Sequence, residues 1–171
     1  DVVAEDMTRA GIDIKSKDDA ENVEALQSGL RTLGIWTAIE ETVKWARLYG
    51  GCIAVMLIDG QNPATPLRPE TIRKDQFKGM MVLDRWMVQP SVVNMIEEYG
   101  PELGQPSSYD ILPNPWLPLS GARVHHSRVI RMEGVRLPYQ QRIAENGWGQ
   151  SVAERIYDQL VAYDSTSQGA A

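Results

Sequence analysis

The chain has 171 residues, with 17 Lys and Arg against 23 Asp and Glu and a net charge of −6. A chain near this length removes roughly two-thirds of its unfolded surface from water, so one domain can be stable without a staple, and the acidic balance argues against a general nucleic-acid coat or a membrane-surface binder. The longest apolar run, residues 52 to 58, is far shorter than the roughly 20 residues that span a bilayer, no signal peptide opens the sequence, and the lone Cys52 has no disulfide partner; these features predict a soluble intracellular protein with a buried thiol.

In chain order, residues 18 to 33 place Val23, Leu26, Leu30 and Leu33 at helical spacing behind an acidic first turn. Gly34 breaks the run, and a second helix is predicted over 35–49, with Ile35, Ile39, Val43, Ala46 and Tyr49 on one face and Gly50-Gly51 as its stop. The continuous apolar run Cys-Ile-Ala-Val-Met-Leu-Ile then predicts a strand covered on both faces. Residues 60–69, with three prolines, are a loop, and 81–89 read as a second strand.

Residues 92–99 are ambiguous, because Val92 and Val93 favour a strand while Val92, Met95, Ile96 and Tyr99 fall at helical spacing. The proline-rich stretch to Pro118 is mostly turns, with one strand at 107–112. A strand is predicted over 123–133 and a final helix over 151–163, where Ser151 is the N-cap and Glu154 its capping-box partner. Helices in runs followed by strands without alternating crossovers predict an α+β fold: N-terminal helices on a small mixed or antiparallel sheet, closed by a C-terminal helix. The chain opens Asp-Val-Val, stops just beyond an amphipathic stretch, and reads as a single domain, 1–171, excerpted from a longer polypeptide.

Chemistry is sparse. Residues 123–138 hold both histidines and four arginines against one acid. In an extended chain His125 and His126 point to opposite faces and do not readily share a metal ion. Cys52 sits in an apolar run with no base beside it, and no Gly-x-Ser-x-Gly elbow, Gly-rich phosphate loop or Gly-x-Gly-x-x-Gly is present. The pairs Glu40-Glu41 and Glu97-Glu98 read as solvated faces. No catalytic residue, cofactor or metal is expected, and the chain reads as not an enzyme. Alternation divides Arg123 and Arg131 from Arg128 on the two strand faces, and Asp84-Arg85 interrupts an apolar strand. The candidate residues for subunit contact, or for weak DNA facing, are therefore Asp84, Arg85, Arg123, Arg128 and Arg131.

Four motifs in order, Arg47-Leu48-Tyr49-Gly50-Gly51-Cys52, Val82-Leu83-Asp84-Arg85, Val124-His125-His126-Ser127-Arg128-Val129-Ile130-Arg131 and Gly147-Trp148-Gly149-Gln150-Ser151, resemble those of tailed-phage portal proteins, and Asp6 to Ile12 fits as well. Gly147 and Gly149 would form the turn before the last helix, which Ser151 caps. The resemblance implies the wing-like part of a structural subunit, with stem, clip and crown absent. It further implies a ring of about a dozen copies at the capsid vertex, serving DNA packaging, ejection and head–tail joining. The implied partners are the protein itself, terminase, capsid and head–tail adaptor proteins, and DNA passing through the ring, with no membrane. The implied location is the virion, and the host cytoplasm during assembly. Similar sequences also occur joined to a two-histidine phosphoesterase that counters nucleotide-based host immunity. The alternative expectation is thus a non-catalytic N-terminal part of such an enzyme, because only His125-His126-Ser127 fits its His-x-Ser element, once.

Overall fold

The computed structural model describes residues 2–12, 14–15 and 20–168. Asp18 and Asp19, in the expected acidic first turn, and residues 169–171 lie outside the described residues. The fold is α+β and ends in a helix. Among the described residues three helices come first: α1 (Val2–Thr8), α2 (Ala20–Thr32) and α3 (Ile35–Tyr49). Gly34 at φ 64° separates α2 from α3, and Gly50 at φ 86° ends α3 while its N–H donates to the Ala46 carbonyl; both are left-handed positions that glycine occupies at no steric cost.

The strands that follow among the described residues are β1 (Gly51–Ile58), β2 (Phe77–Asp84), β3 (Val88–Pro90), β4 (Ser108–Ile111), β5 (Arg123–His125) and β6 (Val129–Glu133), and then come α4 (Tyr139–Ala144) and α5 (Val152–Gln168). They form two three-stranded sheets, β2-β1-β6 and β3-β4-β5, with every adjacent pair antiparallel. α3 packs on β1 and β2. Ile53 and Val55 of β1 join Leu83, Val88, Tyr109, Ile111, Val124 and Trp148 in one core that spans both sheets. Successive strand side chains alternate faces, so Cys52 and Ala54, both buried, turn the other way. This accounts for most of the apolar run: β1 is the middle strand of its sheet and is buried on both faces from Gly51 to Val55, while Met56, Leu57 and Ile58 are partly exposed. Each such aliphatic side chain contributes roughly 1.5–3 kcal/mol on burial.

Two elements that periodicity read as single strands are each split by a corner. The expected 81–89 strand ends at Asp84, whose Oδ1 accepts the Trp86 N–H at 2.8 Å, and resumes at Val88 in the other sheet. The expected 123–133 strand breaks at a 3-10 turn over His126–Arg128, which sends β5 into one sheet and β6 into the other. Residues 92–99 form neither helix nor regular strand. They make one arm of a loop whose Met95 bridges Pro106, with the Ile96 N–H donating to the Gln105 carbonyl at 2.8 Å. α1 and α4 were not foreseen; both are shorter than the two turns at which apolar periodicity becomes legible. No helix among the described residues is long and apolar enough to cross a membrane.

Candidate functional site

Two polar assemblies hold nearly all the residues singled out from the sequence. The first forms where α3, β1, β6 and the Gly147–Ser151 segment meet. The Gly134 N–H donates to the Gly50 carbonyl at 3.1 Å, and Val135 and Gln150 exchange backbone bonds of 2.8 and 2.9 Å. Gly147 lies at φ 82°. Gly149 is confined differently: a Cβ there would meet the Val135 carbonyl oxygen at 2.8 Å, closer than real contacts allow. Ser151 Oγ accepts the Ala153 N–H at 3.0 Å at the start of α5 and itself donates to the Leu48 carbonyl at 2.5 Å, so it caps one helix while tying it to another.

Arginines lock this junction. Arg85 donates from Nη2 to Glu145 Oε2 at 2.6 Å and from Nη1 to the carbonyls of Tyr49 and Gly149, each at 3.3 Å. Its side chain is 11% exposed. Arg131 donates to Glu133 at 3.0 Å, to the Tyr109 hydroxyl at 3.1 Å and to the Gly147 carbonyl. Arg142 bonds the same Gly147 carbonyl and the same Glu133 carboxylate, so one acid neutralises two cations. Glu145 did not stand out in the sequence, because its pairing with Arg85 spans 60 residues and follows no local spacing, whereas Glu133 lies two residues from Arg131, on the same face of an extended strand.

The second assembly is the corner between β5 and β6. Extended geometry separates adjacent side chains, yet the rings of His125 and His126 stand 4.4 Å apart, because the chain leaves β-geometry at His126. The reading that put them on opposite faces is corrected by this turn. Burial, then His126, then Arg128 hold the His125 pKa below its usual value. His125 Nδ1 and Ser127 Oγ are 2.9 Å apart, Ser127 Oγ accepts the Leu67 N–H at 2.8 Å, and the His125 N–H donates to the Pro63 carbonyl at 2.9 Å. Arg128, only 3% exposed, donates to the Thr65 carbonyl at 2.6 Å, to Gln61 Oε1 at 2.9 Å, and to Thr65 Oγ1 and the Pro66 carbonyl at 3.3 Å each. The basic stretch therefore grips the proline loop at 61–67.

Arg123, by contrast, lies at the surface in a forked pair with Asp110 at 2.7 and 3.1 Å. Asp84 closes its own turn and is partly exposed. Of the five candidate contact residues, all four arginines have their guanidinium groups engaged within the chain, Arg85, Arg128 and Arg131 largely out of solvent and Arg123 at the surface, while Asp84 is partly exposed. Cys52 is fully buried, and its thiol is pushed up to about 12, chiefly by burial and next by the charge of Asp84. Among the described residues no three His, Cys, Asp or Glu side chains gather as a metal site.

Comparison with known proteins gives one family model, described as phage portal protein, that matches residues 1–171. An uncharacterized protein of Haemophilus influenzae is 28% identical over 96% of this chain and 35% of its own length. Anti-CBASS protein Acb1 of Caulobacter sp. is 28% identical over 92% of this chain and 25% of its own, and that of Sphingomonas paeninsulae is 26% identical over 96% and 26%. The chain thus spans about a third or less of these relatives. The expectation of a protein that is not an enzyme is overturned here, because the two Acb1 relatives are enzymes. The chain covers only about a quarter of each Acb1 relative, so the lack of a second His-x-Ser or His-x-Thr element in these residues says nothing of the remainder of such a protein.

Proposed function

The chain belongs to the phage portal protein family, and we propose that it is the wing-like part of a portal subunit, a single domain that assembles through neighbour contacts into a ring of about a dozen copies at the capsid vertex. In this reading terminase, capsid and head–tail adaptor proteins are its partners, and DNA passes through the completed ring. The observation that carries the reading is the family match along the whole chain.

The surface is in keeping with it. Tyr157, Leu160 and Tyr163 of α5 are exposed, and so are Trp116, Tyr99 and Val93 on the loops. The α5 residues recur at i, i+3 and i+6 and so share one helix face, and an exposed apolar face of this kind suits a contact surface; a ring requires two different contact surfaces on each subunit, since its interface is heterologous. Asp84 and Arg123, at the surface, are the polar residues proposed to border such a contact, while Gly147, Gly149 and Ser151 set the angle at which α5 leaves the body.

Sedimentation of this chain and of a form as long as its relatives tests the proposal. The long form should close into a ring of about a dozen, and the chain alone, with less interface to bury, should remain a monomer or weak oligomer. A long form that stays monomeric or dimeric under all assembly conditions would count against the ring.

The two Acb1 relatives favour a second reading, in which the same fold forms part of a longer phage protein that opposes CBASS defence as a phosphoesterase. Turnover of cyclic signalling nucleotides by the long form, without ring formation, would select it.

A further inference from the structure

The loop held by the β5–β6 corner walls a polar cavity of about 550 Å³, lined among others by Gln61, Thr65, Arg68, Arg73, Gln76 and Arg128. That volume falls within the roughly 300–1,000 Å³ of ligand clefts. Its charge is unlike that of the molecule: a protein of net charge −6 contributes three arginines and, among the described residues, no carboxylate to this lining.

Arg128 sharpens the point. Among the described residues its Nε and Nη2 donate only to carbonyl, amide and hydroxyl oxygens, so no contacting anion there offsets a cation that is nearly buried. Its Nη1 makes no hydrogen bond to a described residue. Since no buried side-chain nitrogen there lacks a partner, Nη1 keeps access to solvent. Burial lowers the Arg128 pKa, as expected of a cation held without a counter-charge. Arg68 and Arg73 are exposed at the rim, and neither guanidinium is paired with a described side chain. The wall between them is braced: Gln61 Nε2 donates to Thr71 Oγ1 at 3.1 Å and the Arg73 N–H to Gln76 Oε1 at 2.7 Å. A fixed, half-desolvated cation with two further guanidinium groups within reach is the donor set that phosphate oxygens match, because each guanidinium offers paired donors in one plane.

We propose that this cavity is a phosphate-binding site, with Arg128 as its fixed floor and Arg68 and Arg73 as its closing rim. The proposal is independent of the ring reading. Two sources carry this chemistry, a free phosphorylated small molecule and the backbone of a nucleic-acid strand.

Calorimetric titration with pyrophosphate and fluorescence anisotropy with a labelled single-stranded oligodeoxythymidylate, both at low salt, separate the sources. Submillimolar binding of either probe, weakened about tenfold or more in the R68Q/R73Q double variant with its melting temperature unchanged, is the expected result. Pyrophosphate binding assigns a compact ligand, and oligonucleotide binding without pyrophosphate binding assigns the strand backbone. Failure of both probes to bind, or binding that the double variant leaves unchanged, overturns the site.

Discussion

The guanidinium carbon of Arg131 lies 4.3 Å from the centroid of the Trp148 ring, deep in the junction where β6 meets the segment leading into α5. Trp148 is 2% exposed and Arg131 8%. The cation also lies 5.9 Å from the Tyr109 ring, so it rests among aromatic faces while its nitrogens bond outward to Glu133, the Tyr109 hydroxyl and the Gly147 carbonyl. A planar, weakly hydrated guanidinium suits such a place, and a compact ammonium does not.

Arg131→Lys keeps the charge but loses the fork and the stacking. We expect it to lower unfolding free energy by about 1–3 kcal/mol, since buried charge-assisted bonds and a desolvated cation–π contact each lie in that range. Urea denaturation followed by tryptophan fluorescence measures the difference. A change within experimental error would mean that Arg131 fills space here and nothing more.

Gly149 and Gly147 should respond to Ala for different reasons. At Gly149 the added methyl meets the Val135 carbonyl at 2.8 Å and the Gly50 carbonyl at 3.1 Å, and neither backbone atom can swing away, so a loss of about 1–3 kcal/mol is expected. At Gly147 a Cβ meets nothing within 4 Å, and the cost is the left-handed backbone alone, about 1–2 kcal/mol. Substituting Asn separates the two causes: it should recover part of the loss at 147, where it tolerates positive φ, and none at 149. Thermal unfolding of the four variants reads this out.

The Cys52 thiol should resist alkylation at pH 8 in the native chain and react once the chain is unfolded, because burial pushes its pKa up to about 12 from 9.0. The same shift makes stability pH-dependent. A group whose pKa is raised on folding contributes fully below its unfolded pKa, and the contribution is lost as pH rises toward the folded one. Unfolding free energy should therefore fall between pH 9 and 12 at up to about 1.4 kcal/mol per pH unit. Cys52→Ala should flatten that slope, and an equal slope in the variant would assign the alkaline loss to other groups.

Local order is what the sequence determined. The boundaries of α3 follow from its apolar stripe and the Gly34 and Gly50 stops, and the buried central strand follows from seven apolar residues in a row, because both signals lie within a dozen neighbouring residues. The strand expected at 107–112 between the proline turns is β4, Ser108–Ile111. The polar breaks at Asp84-Arg85 and at 125–128 lie at the two corners, but periodicity does not distinguish a polar position within a strand from a bend, because apolar residues resume beyond each break. The partners of the arginines were equally hidden. Arg85 meets Glu145 across 60 positions and Arg128 meets Gln61 across 67, separations at which no local spacing brings partners together. A stretch that reads as a row of surface charges is thus divided by the tertiary structure into a surface pair at Arg123, a loop anchor at Arg128 and a stacked core cation at Arg131, since burial selects for each guanidinium the acceptors within its reach.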